Sequence, residues 1–350
     1  MRLGSFALGV ALVLGGTAMS VAAHAAEAAT YRFEVIGRIP GPDGPWDYAS
    51  FDPERQRVYV SHGNEVMTID AGSGKLNSGF AAGDDVHAVV PVPRTNFIVT
   101  TNSGDASARI IDATDGRLLA SLQTPDDPDG AVFDPLTGLV LVVSGEAGKV
   151  TLVDPRARKM VGSIGIGGRL EFPAVDGRGK LYVNVVSENE VAAVDLATRR
   201  VIAHYPLAGC QAPTGLALVG GGRLISVCFN GRADILDAGS GRAIASVKIG
   251  GFPDAVLYDP ARHLAFVPSA GSGTMAVIAL TGPASNSVIE TVHTQVGART
   301  GAVDPRTGRI WLPAARFKRY SLKAVLAAGR PPRMEPRSFA VLVLRVSPTR

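Results

Sequence analysis

The chain has 350 residues, 46% hydrophobic and only 19% charged, with 41 glycines and 23 prolines, which supplies a buried core and many tight turns between short strands. Past the N-terminus no segment is long and charge-free enough to span a bilayer, and the two cysteines carry neither a Cys-x-x-Cys nor a haem-attachment pattern, so a redox role has no support. The formal charge of +4 is unevenly spread: 12 basic and 2 acidic residues fall from Arg299 onward, leaving 23 basic against 29 acidic before it.

Residues 1–25 read as a signal peptide. Arg2 gives the positive start, Phe6 to Val13 form a short apolar run, and Ala23-His24-Ala25 fits the small-x-small cleavage rule. Cleavage near Ala25 implies a secreted or periplasmic protein without a membrane span. Residues 26–350 then form a single domain.

From there the chain repeats. An apolar-Asp pair recurs at Ile69-Asp70, Ile111-Asp112, Val153-Asp154, Val194-Asp195 and Leu236-Asp237, with aspartates 42, 42, 41 and 42 residues apart. A second landmark keeps step at Asp52-Pro53, Asp134-Pro135, Asp176-Gly177, Asp259-Pro260 and Asp304-Pro305. Each unit divides into four β-branched or apolar runs punctuated by Gly, Asp, Asn and Pro, which are strand and turn signals. One four-stranded sheet per roughly 40 residues is a propeller blade.

Innermost strands begin near Asp47, His87, Asp129, Glu171, Thr214, Asp254 and Arg299, so the sequence predicts an all-β, seven-bladed β-propeller. The last unit lacks its fourth strand, and the stretch Tyr31 to Ile36 lacks a blade. The N-terminal strand therefore completes the last blade and closes the ring, removing exposed edges. That blade also carries about 24 extra residues between its second and third strands, a basic insertion at about 316–337 with Arg316, Lys318, Arg319, Lys323, Arg330, Arg333 and Arg337 against one acid, Glu335. Within it, Ser321 to Ala328 reads as a short helix stopped by Gly329. The insertion suits either an anionic ligand or salt bridges to acidic groups beneath it.

Counting six residues back from each landmark proline, or from the residue aligned with it, gives Asp47, His87, Asp129, Glu171, Thr214, Asp254 and Arg299. All seven are polar in a chain that is nearly half apolar. In a propeller they share one mouth of the central channel, where they are either a ligand-binding surface or hydrated lining. Loops from second to third strands reach the same face, which brings His62 toward His87 as a general base, a pH-sensitive contact or a plain structural pair. Carboxylates with carbonyl oxygens are compatible with calcium, and one histidine among them with zinc or manganese. Cys210, entering blade five, and Cys228, ending its second strand, lie on this face too, within reach of a disulfide worth about 3 kcal/mol.

The stretches Val58-Tyr59-Val60-Ser61 and Leu181-Tyr182-Val183, with Asn64-Glu65-Val66, Ile69-Asp70 and Gly74-Lys75, resemble the YVTN-repeat, YncE-like periplasmic β-propellers across essentially the whole mature chain. Those motifs specify packing and turns rather than chemistry. The resemblance implies a monomeric periplasmic binding or scaffold module whose partner is a small molecule, a peptide or a periplasmic protein, and some relatives bind DNA. A nucleophile motif, a clustered metal signature and a cofactor fingerprint are all absent from the sequence, so no residue is assigned to a metal. The enzyme alternative is a lactonase-like hydrolase using Asp129, Glu171, Asp254 and His87, with or without a divalent metal.

Overall fold

The computed structural model describes residues 31–282, 285–318 and 333–349 together with Met1. The expected leader at 1–25 and the expected short helix at 321–328 lie outside the described residues. Within them, 28 strands, numbered β1–β28 in chain order, form seven four-stranded antiparallel sheets. The chain is a seven-bladed β-propeller.

The repeat is turn chemistry. Asp52, Asp134, Asp259 and Asp304 are buried at the hairpins joining first and second strands, where their carboxylates hold the turns. Asp52 Oδ1 accepts the Glu54 and Arg55 N–H groups at 2.9 and 3.1 Å, and Asp259 Oδ1 accepts those of Ala261 and Arg262 at 2.9 and 3.1 Å. A short side chain that bonds its own backbone two or three residues on is what such a turn requires. The other landmark does the same between third and fourth strands. Asp70, Asp195 and Asp237 accept from Ser73, Thr198 and Ser240, and these bonds hold their carboxyls below the usual aspartate range.

Closure follows the expected route. The strand β1 (Tyr31–Pro40) pairs antiparallel with β28 (Ala340–Pro348), from Tyr31 opposite Pro348 to Pro40 opposite Ala340. Its sheet continues through β27 (Arg309–Ala314) to the inner strand β26 (Ala302–Asp304). The other inner strands are β2 (Ala49–Asp52), β6 (Val86–Val92), β10 (Pro128–Asp134), β14 (Leu170–Val175), β18 (Pro213–Val219) and β22 (Leu257–Asp259). Each touches the inner strand on either side, and β26 touches β2, so the circle is complete. In blades one, six and seven regular pairing starts at Ala49, Leu257 and Ala302, two or three residues past the predicted entry.

Apolar burial sits in the seams. Among the described residues there are seven hydrophobic clusters, and each joins two adjacent blades. Seam one–two holds Tyr59, Val66, Val89 and Ile98, and seam seven–one holds Trp46, Val58, Val60, Trp311 and Phe339. Because each strand alternates between two faces, both faces of every sheet bury apolar side chains. The axis is left to polar groups.

Cys210 and Cys228 form a disulfide with Cα atoms 5.4 Å apart. It ties the loop entering blade five to the end of that blade's second strand, beside the Pro213–Cys228 pair of the ladder. Both cysteines also belong to the seam between blades four and five.

Candidate functional site

Inner-strand entries pair with the ends of second strands: Val86 with Asn102, Pro128 with Ser144, Leu170 with Val185 and Pro213 with Cys228. The predicted circle therefore shares one face with the loops beyond those strands. Hydrogen bonds between blades fix it there. The Thr300 hydroxyl donates to the Asp47 carbonyl, the Tyr48 N–H to the His87 carbonyl, Thr101 to the Asp129 carbonyl and Asn184 to the Thr214 carbonyl. Successive circle positions are thus stitched by their own backbones.

Five of the seven side chains form one charged network, and a sixth, Glu171, stands beside it on Tyr48. His87 Nδ1 lies 2.6 Å from Asp47 Oδ2 and 3.3 Å from Asp129 Oδ1. Its Nε2 meets Ser103 Oγ at 3.0 Å, and Ser103 in turn donates to Asp85 Oδ2 at 2.8 Å. Arg299 reaches Asp254 Oδ2 at 2.8 Å and Asp47 Oδ1 at 3.4 Å, and also donates to the Trp46 carbonyl at 3.1 Å. Glu171 accepts from the Tyr48 hydroxyl at 3.2 Å, with Arg169 at 4.0 Å. The seventh residue, Thr214, is buried and structural: its hydroxyl donates to the Pro253 carbonyl at 2.8 Å, bracing blade five against blade six.

The electrostatics are those of crowded carboxylates in little water. Withdrawal from solvent, then repulsion from Asp129, Asp254 and Asp47, holds the Glu171 carboxyl well above its usual range. Asp129 is raised chiefly by burial, against the attraction of His87. Asp254 is pushed up to about 7 by burial and by Asp47 and Asp129, although Arg299 opposes the shift. For His87 burial disfavours the charge, but the carboxylates of Asp129 and Asp47 beside it outweigh that and raise the imidazolium to about 11. The Tyr48 phenol is driven well up by burial and by the same carboxylates. Groups shifted this far by specific neighbours in one cleft are what acid–base and ligand sites are made of.

His62 does not join them. Its imidazole is buried against Phe339, ring centres 4.9 Å apart, with Glu65 at 3.7 Å. Burial lowers its pKa, outweighing Glu65. It lines a separate cleft of about 430 Å³ with Pro42, Asp43, Gly44, Pro45, Asn64 and Glu65. The expected approach to His87 is therefore corrected: His62 faces blade seven, whereas His87 belongs to blade two.

Tyr48 is the member that the sequence reading missed. From blade one it reaches Glu171 of blade four, and its ring packs edge-on against Phe172 with centroids 4.9 Å apart. One position after the circle the chain has Tyr48, Ala88, Gly130, Phe172, Gly215, Ala255 and Thr300. Two aromatics among small residues was the available signal. The small ones are needed: a Cβ on Gly215 would stand 2.6 Å from Ala255 Cα. Two bulky rings then share the space near the axis that five short side chains leave.

The described base of the basic insertion continues the ladder of blade seven. Lys318 N–H donates to the Arg333 carbonyl at 3.0 Å, Glu335 N–H to the Arg316 carbonyl at 2.7 Å, and Arg316 pairs with Glu335 at 3.0 Å. Asp43 clamps this base by accepting the N–H groups of Arg337, Ser338 and Phe339. No helix among the described residues is long and apolar enough to cross a membrane.

No family model matches the chain, and no curated protein sequence does. Solved structures do. The hydrazine synthase of Kuenenia stuttgartiensis is similar over 78% of this chain and 92% of that chain, with 16% identity and a TM-score of 0.68. A chain of a mitotic checkpoint complex is similar over 98% and 99%, with 13% identity and a TM-score of 0.70. At such identities the likeness is one of fold, and the fold they share with this chain is the propeller.

Proposed function

We propose that this chain is an exported binding propeller of the YVTN-repeat kind, whose channel mouth takes a small ligand bearing a positively charged group. The carrying observation is the surplus of acid there. Asp47, Asp129, Glu171 and Asp254 converge from four blades, while the two cations among them, His87 and Arg299, are each already engaged by two of those carboxylates. Burial and repulsion from neighbouring carboxylates disfavour the charge on both Glu171 and Asp254. An incoming ammonium or guanidinium group relieves that repulsion and takes their charge. The Tyr48–Phe172 pair supplies an aromatic wall for the ligand's apolar part. Export is supported by the leader-like sequence of residues 1–25 and by the disulfide, which fits an oxidising compartment.

The test is a thermal-shift and calorimetric screen of small amines, guanidines and cationic peptides on the wild type, Glu171→Gln and Asp254→Asn. A ligand is expected whose affinity drops in both variants and is higher at pH 8 than at pH 6, where Asp254 must first lose its proton. A screen without binders, or binders indifferent to both substitutions, ends this reading. A second reading, a lactonase-like hydrolase, is favoured by one observation: a carboxyl near 7, Asp254, beside a guanidinium suits general acid–base work. Sugar lactones incubated with enzyme and with Asp254→Asn decide it, since equal background hydrolysis in both removes the enzyme.

A further inference from the structure

We propose that Asp47, His87 and Asp129 form a binding site for a divalent transition metal, manganese or zinc, at the channel mouth. This deepens the reading of that mouth as the functional face. One donor atom from each of the three residues lies within 4.8 Å of the other two. Among the described residues one other grouping, Cys210, Cys228 and Asp234, is as tight, but its sulfurs are bonded to each other.

Three details point to a cation rather than a plain ion-pair cluster. First, His87 Nδ1 faces two carboxylate oxygens, at 2.6 and 3.3 Å, with a single hydrogen to offer. Asp129 Oδ1 is in consequence a buried oxygen without a hydrogen-bond donor. Such an oxygen is costly unless a charge satisfies it. One proton cannot serve both carboxylates, and a divalent ion between all three atoms can.

Second, the tautomer is set from behind. Ser103 commits its proton to Asp85 at 2.8 Å, so its oxygen accepts the His87 Nε2 hydrogen at 3.0 Å. With the Nε2 hydrogen held there, the hydrogen that a metal displaces is the one on Nδ1, and the lone pair it leaves faces Asp47 and Asp129. A ligating histidine whose far nitrogen donates to an oriented acceptor is the usual outer-shell arrangement of metal sites.

Third, the spacing fits. Imidazole nitrogen and carboxylate oxygen bind zinc at about 2.0–2.2 Å, which sets neighbouring donors about 3 Å apart. The three side chains are 26%, 13% and 16% exposed for His87, Asp47 and Asp129, so an ion can enter from the mouth and keep open positions for an exogenous ligand. A nitrogen donor and only two protein carboxylates favour manganese or zinc over calcium, which gathers six to eight oxygens. The ligand class is then extended: a bound metal adds recognition of an oxygen donor, such as a carboxylate or hydroxyl, beside the cationic group already inferred.

The experiment uses the metal alone. Purified full-length protein is stripped with chelator and titrated with Mn²⁺, followed by paramagnetic resonance and pulsed detection of nitrogen coupling, with Zn²⁺ as competitor. One Mn²⁺ per chain is expected, with nitrogen coupling that disappears in His87→Gln. Affinity should fall roughly tenfold or more in Asp129→Asn, and Asp234→Asn should leave it unchanged. Circular dichroism and urea midpoints check that the variants are folded, and the nitrogen coupling of the wild type is decisive without them. Absence of binding at millimolar Mn²⁺, bound manganese without nitrogen coupling, or unchanged affinity in Asp129→Asn overturns the site. Because no organic ligand is present, that failure is separate from failure of the cationic-ligand screen.

Discussion

Removing the disulfide offers the sharpest quantitative test of how this face is held. Cys210 and Cys228 are 18 residues apart in sequence, and closing a loop of that size in the unfolded chain is worth about 3 kcal/mol on the chain-entropy model. With an unfolding entropy of about 2.1 cal/mol/K per residue over roughly 300 residues, 3 kcal/mol corresponds to a fall in Tm of about 5 °C. Replacing both cysteines by alanine adds a packing loss, because both side chains are buried in the seam between blades four and five. Reduction of the wild type keeps the sulfur atoms and removes only the link. Calorimetric melts of oxidised protein, reduced protein and the double alanine variant separate the two contributions. Reduced protein should melt about 5 °C lower, with the alanine variant lower again. A reduced protein melting within a degree of the oxidised one would refute the loop-closure reasoning.

Four further outcomes are expected. Gly215→Ala places a Cβ 2.6 Å from Ala255 Cα, in backbone that cannot swing aside, so it should destabilise by roughly 1–3 kcal/mol in urea titration; a neutral result would mean that the inner strands do not approach so closely. Asp254, with a folded pKa of about 7 against an ordinary 3.8, holds a proton that the unfolded chain has released, so its contribution to stability falls as pH rises from about 4 to 7. Urea midpoints of Asp254→Asn should lack that decline. The turn aspartates Asp70, Asp195 and Asp237 act in the opposite sense: their lowered pKa values stabilise above about 3.8, and that stability is lost as pH falls through the lowered values. Asp43→Asn weakens acceptance of the Arg337, Ser338 and Phe339 N–H groups, so hydrogen exchange at Ser338 and Phe339 should accelerate while blade four is unaffected. Equal protection there would show that Asp43 does not hold the base of the insertion.

The fold was legible because its repeating residues do repeating work. An aspartate that closes a hairpin recurs with the blade, so the two series set the period, the seven strand entries in step with it counted the blades, and the orphan strand at Tyr31 identified the closure. The circle of polar positions was legible for the same reason, since register carries from blade to blade. What register does not carry is the direction of a side chain beyond the ladder. His62 was expected near His87, yet along its strand it shares a face with Val58 and Val60, which pack toward blade seven, while Tyr59 packs toward blade two. The two-residue period of a strand assigns His62 to the former side. Tyr48 was missed because it is one residue out of the polar register, and its role depends on small neighbours in five other blades. Register does not show either that the Thr214 hydroxyl has a carbonyl of the next blade in reach and braces the two blades.

The join between β1 and β28 has a consequence for the order in which the molecule is made. Tyr31 and Pro348 are 317 positions apart (348 − 31) and lie side by side in the finished wheel. Of the described strands, the first to be made must therefore wait, unmatched, for the last. Contacts of such long sequence separation slow folding and leave sticky intermediates. Transplanting that first strand to follow Pro348 would make the slowest-forming pair a simple hairpin and leave every seam intact, so a circularly permuted chain should refold faster toward the same end state.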